Sequence, residues 1–408
     1  MNNFGTLYYY EVKKILSRKL VWSVFFINVC CIVMFTCADL MGKYYVDGEV
    51  ADTHYHMFQV DQDYRRALSG RQLDTALLEE MQEAYSKIPD TQERYMLTDE
   101  YQTYARPYSE IYNLFRRWTQ KKELEELRAW QPDEEALYAA RLETMEQLWR
   151  EQQLTDAEKA LWREKEAQEQ ENRPLTYLYH EGYTKLLANG LNTLSILVQM
   201  FVCICMAGVF TDEHTRRTDQ LILSGAKGKE MVYWAKIAAG ASVSAACAAL
   251  LSAITFMLVF AVYGAEGFGT SLRFSAYLCS SSERFSVGQV CLIEYGILIL
   301  TAVFVSVLVL VVSELLHSSI ATLAVSVGLL MAGILARIPE QYRVLSQLWD
   351  WLPARFLNAV YIFDNRTVPL AGYCLVSWIA VPLCYMLAGL VMVLAGKRIY
   401  RNYQVLNR

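Results

Sequence analysis

The sequence predicts an all-α integral membrane protein of six transmembrane helices, with a helical, coiled-coil-like extracellular domain inserted between helices 1 and 2. Three observations predict this. Apolar runs recur along the 408 residues, each near the about 20 residues a helix needs to cross a hydrocarbon core about 30 Å thick. The net charge of −5 hides two opposite parts, an acidic block from Asp39 to Asn189 and a basic, apolar remainder. Inside the acidic block, apolar and aromatic residues recur at spacings of three and four, the period of an amphipathic helix.

Residues 1–38 form a cytoplasmic amphipathic lead and the first span. In the lead, Phe4, Leu7, Tyr8, Val12, Ile15 and Leu16 fall near one face and Lys13, Lys14, Arg18 and Lys19 on the other. Such a helix suits the membrane surface, its lysines and arginine among lipid headgroups. The span Leu20–Ala38 follows this long lead and has no small-residue cleavage site behind it, so it reads as a retained span and not a cleaved signal. Further apolar runs at 190–210, 233–263, 287–313, 318–337 and 373–396 make up the five spans expected within 190–408. Basic residues concentrate in the amino-terminal lead, in the 211–236 hairpin and after the last span, which places both termini and that hairpin in the cytoplasm.

The block 39–189 reads as helical and external. Tyr104, Tyr108, Ile111, Phe115 and Trp118 trace one stripe, and Leu142, Met145 and Trp149 another. Thr155-Asp156-Ala157-Glu158 has the form of a capping box, and Pro132 before Asp133, Glu134 and Glu135 marks a second helix start. Lys121 to Glu126 and Arg163-Glu164-Lys165-Glu166 read as solvated faces carrying intrahelical ion pairs. Helices of about 30 residues would be about 45 Å long and could stand clear of the membrane as hairpins.

Sharper chemistry is thin. Asp52-Thr53-His54-Tyr55-His56 alternates possible ligands with no distant partner set, and reads as a polar juncture outside the first span, not a metal site. Cys30, Cys31, Cys37, Cys203, Cys205, Cys247 and Cys384 are among the ten cysteines and lie inside apolar runs, and no CxxC spacing occurs, so a disulfide or zinc framework is not expected. No GxxxxGK[ST] loop occurs, so the chain is not expected to hydrolyse nucleotide or to be an enzyme. Ser224-Gly225-Ala226-Lys227-Gly228-Lys229 lacks that spacing and reads as a turn. Glu294, in the outer part of the fourth span, reads as a functional carboxylate or as one that snorkels or caps. The small residues from Ala238 to Ala246 read as a close-packing face. Nothing points to a nucleic-acid partner.

Six spans, an amphipathic lead, inward termini and a charged hairpin between spans two and three resemble the permease subunit of an ABC-2 type ATP-binding-cassette transporter. The local match runs from Glu213 through Arg216, Arg217, Thr218, Leu221, Ile222, Leu223 and Ser224 to Lys236, and resembles the family's coupling helix. Gly225 stands where the family often has proline. The lead resembles the family's connecting helix. The 338–372 segment, with Trp349, Trp351, Pro353 and Phe356, resembles its short outer re-entrant helices.

This resemblance implies a bacterial plasma-membrane exporter subunit. A separate ATPase, which binds the ATP and magnesium, would dock on Glu213, Arg216, Arg217, Thr218, Leu221, Ser224, Lys227, Lys229 and Glu230. A second permease copy or a relative would complete the path, and the substrate would be a hydrophobic or amphipathic peptide, antibiotic or lipid-like compound. Two other readings stand beside it. In one, the spans anchor an acidic receptor or scaffold domain that binds an external partner. In the other, the chain is a secondary transporter, although the repeats and broken spans usual there are absent from the sequence. For the hairpin charges themselves the alternative to ATPase docking is anchorage to anionic lipid headgroups.

Overall fold

A computed structural model describes residues 3–46, 49–89, 95–169, 173–215, 228–370 and 373–402. The chain is mostly helical, and among the described residues five helices are long and apolar enough to cross a membrane: Lys19–Leu40, Leu191–Glu213, Glu230–Tyr263, Val287–Leu316 and Ser377–Asn402. The expected fifth run, 318–337, is a helix of only 17 residues, Ser319–Leu335. At 1.5 Å per residue it is about 26 Å long, short of a full hydrocarbon core. The Ser318 side chain accepts from the Ala321 amide at its start, and extended backbone at Ala336 ends it. The expected six therefore become five full-length helices and one shorter apolar helix.

Two other boundaries move for local reasons. Tyr373–Val376, the start of the expected 373–396 span, pairs antiparallel with Thr367–Leu370, so the last helix begins at Ser377. The third long helix starts at Gly228, before the apolar run at 233, because its first turn is polar yet helical.

The bundle packs around Val287–Leu316, the most apolar of the long helices. A Cβ on Gly240 would come within 2.6 Å of the Leu310 side chain, so the small-residue face of Gly228–Tyr263 does let two backbones approach. The lead helix Asn3–Leu16 seals Ile15 completely and packs Tyr8 and Val12 against the same core. Glu294 is only 2 % exposed and lies two turns inside its helix, whose box is made by Ser286 and Gln289. It therefore neither snorkels nor caps, and its Oε1 has no partner among the described residues.

On one side of the bundle sits a helical head. It is compact and not coiled-coil-like: its longest described helix, Glu134–Glu151, has 18 residues, so the extended hairpins expected from helices of about 30 residues do not form. Left-handed backbone at Gln120 and Gln153 reverses the chain between helices. Aromatic side chains fill the space that a heptad seam would occupy. Tyr85 and Tyr112 approach to 4.2 Å between ring centroids, and Trp118 and Tyr138 to 5.3 Å. Ile111, Phe115 and Trp118 of Ser109–Thr119 are buried as the stripe requires, but Tyr104 is 46 % exposed because it precedes Pro107 on a widened turn.

Both predicted helix starts form: Asp133 accepts from the Glu135 and Ala136 amides, and the Thr155 and Glu158 side chains each meet the other's backbone amide.

The charges at 163–166 are only half a solvated face, with Arg163 and Glu164 exposed, and their ion pairs are not intrahelical. Arg163 reaches Glu146 at 2.8 Å and Lys165 reaches Glu283 at 2.8 Å. Glu166 is buried between Arg141 (2.7 Å) and Arg273 (3.1 Å). Burial alone would raise the Glu166 pKa, but the two guanidinium groups outweigh it and hold it below the usual carboxylate value.

Arg273 and Glu283 belong to the connection between the third and fourth long helices, so the head is tied to the bundle's own loops. Phe274 completes one aromatic core of the head and Val376 the other. The Trp162 indole donates to the Asn365 carbonyl at 2.8 Å. Glu158, capping one helix, also takes Arg343 at 2.6 Å and the Thr367 amide at 2.7 Å.

The 338–372 segment forms three short helices, Arg343–Asp350, Pro353–Phe356 and Ala359–Ile362. In the first, Ser346, Gln347 and Asp350 are buried while Val344, Leu345 and Leu348 are exposed. A helix that hides its polar face and shows its apolar one has lipid as its outer neighbour. The second dips into the bundle: Phe356 is fully buried, and the Pro353 carbonyl accepts from Gln199 at 2.9 Å.

Candidate functional site

At the end of the bundle opposite the head, three elements meet around one carboxylate. The second long helix ends in Thr211-Asp212-Glu213, the third opens at Gly228, and the lead helix runs beside both. Glu213 Oε1 accepts from Lys14 at 2.6 Å and from Lys236 at 2.8 Å. Lys236 has no exposed surface; its ammonium also donates to the Val209 carbonyl at 2.8 Å and lies 4.7 Å from the Phe210 ring centroid. Its long stem explains how a lysine about two turns inside a helix can reach the polar end of a neighbour. For Lys14, on the lead, burial pulls the pKa down, but the Glu213 hydrogen bond and charge overcome this and leave it above its ordinary 10.5.

A second tie lies beside the first. The lead breaks after Leu16, and Arg18 adopts extended backbone before the first span starts at Lys19. Its guanidinium donates to the Cys205 and Gly208 carbonyls at 3.3 and 3.2 Å and pairs with Asp212 at 2.8 Å. Gly208 makes this possible: a Cβ there would lie 3.0 Å from the Asp212 carboxylate and 3.1 Å from the guanidinium. On the far side, Glu230 pairs with Lys397 of the last helix, and the Tyr233 hydroxyl donates to the Val393 carbonyl at 2.7 Å. Phe210, Tyr233 and Tyr400 cluster at ring separations of 5.7 to 6.0 Å. The lead, both ends bordering 216–227 and the last helix are thus one interlocked base.

The expected site residues divide accordingly. Arg216, Arg217, Thr218, Leu221, Ser224 and Lys227 lie outside the described residues. Lys229 falls in the first turn of the third long helix and Glu230 follows it. Glu213, expected on a docking surface, is turned inward at 7 % exposure and serves as the hub of the base.

The surface set splits in two: Lys13 and Lys19 are exposed, whereas Lys14 and Arg18 reach into the protein. At the head side, Trp349 donates to the Ala336 carbonyl at 3.0 Å, the Trp351 carbonyl accepts from Tyr385 at 2.5 Å, and Pro353 and Phe356 sit in the bundle wall.

Sequence reading missed Asp212 as the Arg18 partner and the reach of Lys14 across 199 positions to Glu213. The excess of unmatched cations in the lead was the one available signal. Among the described residues no group of His, Cys, Asp and Glu could hold a metal, and Asp52 and His56 bond each other at 2.7 Å. No family model, curated protein or solved structure matches this chain.

Proposed function

We propose that this chain is the permease subunit of an ABC-2 type transporter in a bacterial plasma membrane, exporting a hydrophobic or amphipathic substrate with energy from a separate ATPase. Its charged 216–227 segment would be the docking point, with both termini on the same side. The observation that supports this best is the interlocked base. Because Glu213, Lys236, Lys14 and Arg18 bind the two borders of the segment to the lead helix and to two long helices, a push on the segment moves several helices together. Packed, bistable interfaces transmit such displacements where loosely tethered loops absorb them. Two copies, or this chain and a relative, would enclose the path.

The test is purification of the intact chain from its native membrane in mild detergent, with identification of bound proteins and an ATPase assay. The expected result is an ATP-binding-cassette subunit in near-equal amount, whose activity loses its coupling when Arg216 and Arg217 are both changed to Glu while membrane insertion is unaltered. Recovery of the chain alone, or with external proteins held by the head, would replace the permease reading with that of an anchored receptor.

A further inference from the structure

Between the short apolar helix Ser319–Leu335 and the last helix Ser377–Asn402 lies a cavity of about 420 Å³, within the about 300–1,000 Å³ range of small-molecule sites. Cys203, Phe304 and Leu308 line its inner wall, and Trp349 and Leu352 roof it on the head side. At its mouth Leu329 and Cys384 are exposed on apolar helices, so the cavity opens sideways into hydrocarbon and not upward into water. The apolar wall suits an aliphatic chain.

The roof adds a second, independent observation. Helix Arg343–Asp350 shows Val344, Leu345 and Leu348 outward, which sets the level of the membrane surface at this point. Trp349, on that helix, both lines the cavity and donates to the Ala336 carbonyl. The next residue, Arg337, is exposed and forms no hydrogen bond or ion pair with any described residue. The other arginines of this rim are committed: Arg343 to Glu158, Arg355 to Asp350, and Arg366 to Asp350 and Asp364. Glu340, exposed three residues beyond Arg337, is likewise unpaired among the described residues, so the pair leaves the rim without net charge. A guanidinium is a strong phosphate partner, and a nearby carboxylate complements an ammonium.

We infer that this cleft is a binding site for one zwitterionic phospholipid of the head-side leaflet, with an acyl chain between the two helices, the phosphate at Arg337 and the amine toward Glu340. The site stands on the bundle's own shape and charge and does not rest on the transporter reading.

The test uses the full chain in lipid nanodiscs doped with a phosphatidylethanolamine that carries a diazirine in one acyl chain, with cross-links mapped by peptide mass spectrometry. Label is expected to concentrate on residues 326–333 and 384–388 above the lipid-facing residues 26–35 of the first span. Ser326→Trp, filling the cavity, should lower that excess severalfold and leave first-span labelling unchanged. Leu329→Trp, at an exposed position that does not disturb the core, blocks the mouth and should do the same if the first variant fails to fold. Arg337→Gln should abolish the advantage of this probe over a diazirine diacylglycerol, which lacks the phosphate. Even labelling of all lipid-facing helices, indifference to both tryptophans, or equal labelling by the phosphate-free probe would each overturn the assignment.

Discussion

Glu213→Gln isolates the energetics of the base. It keeps the side-chain shape but removes the charge shared by Lys14 and Lys236. The two lysines respond differently. Lys14 has 37 % of its side chain exposed and can turn to Glu11 or to water, so losing Glu213 there costs about 0–1 kcal/mol, as for other solvated pairs. Lys236 has no exposed surface, and among its described contacts it keeps the Val209 carbonyl, the Phe210 ring and a neutral amide oxygen in place of the carboxylate. Removing one member of a buried pair costs about 3–5 kcal/mol because the other charge is stranded, and the remaining carbonyl places the expectation near the lower end, about 3 kcal/mol.

Unfolding by SDS in mixed micelles, followed by tryptophan fluorescence, measures this. Lys14→Gln should fall within about 1 kcal/mol of the parent. The double change Glu213→Gln with Lys236→Met should recover most of the loss, since replacing both charges removes the stranded ion. If Glu213→Gln costs no more than Lys14→Gln, or if the double variant is as unstable as the sum of its parts, the buried pair is not what holds the base together.

Three further outcomes concern the head, its seat and the lead helix. His180 is 4 % exposed, and its burial depresses the imidazole pKa below the ordinary 6.5, against the smaller opposing pull of the Leu178 carbonyl and nearby carboxylates. The unfolded chain therefore takes up a proton that the folded head refuses. Stability is complete above pH 6.5 and falls as the pH drops below that value, whereas the depressed Glu158 and Glu166 carboxylates act only at and below about 4.5. A melting temperature that declines between pH 6.5 and 5 in the parent, and less so in His180→Asn, is the expected result; identical slopes would refute it. Gly182→Ala should lose about 1–3 kcal/mol, because the added Cβ collides with the Gly264 carbonyl oxygen, a backbone atom with no rotamer to yield. Gly5→Ala, with open space around it in the lead helix, should instead gain about 0.5–1 kcal/mol by the same unfolding measurement.

What the sequence makes legible here is local. Apolar runs mark the long helices because hydrocarbon demands them residue by residue, and Asp133 and Thr155 mark helix starts because a cap bonds only two or three positions away. Distance along the chain defeats this reading. Glu166 looks like part of an exposed charge run until Arg141 and Arg273 close over it, and Glu213 looks like a docking residue until Lys14 arrives from the opposite end. The inverted helix Arg343–Asp350 is a subtler case: its periodicity is plain, but which face meets protein depends on Asp350 finding Arg355 and Arg366. The 17-residue helix shows the converse, an apolar run whose ends are set by a serine cap and a break and not by hydropathy.

The head's two cores also impose an order of events during synthesis. Chains are made from the amino terminus, and domains ordinarily close as soon as their own residues have emerged. Here one core waits for Phe274 and the other for Val376, and the Trp162 indole has no acceptor until Asn365 has been made. The helices of the block 49–169 must therefore wait, aromatic faces open, while the ribosome completes the later helices. Synthesis of this chain thus passes through an unfinished domain, and a segment expressed from that block alone would keep those open faces permanently.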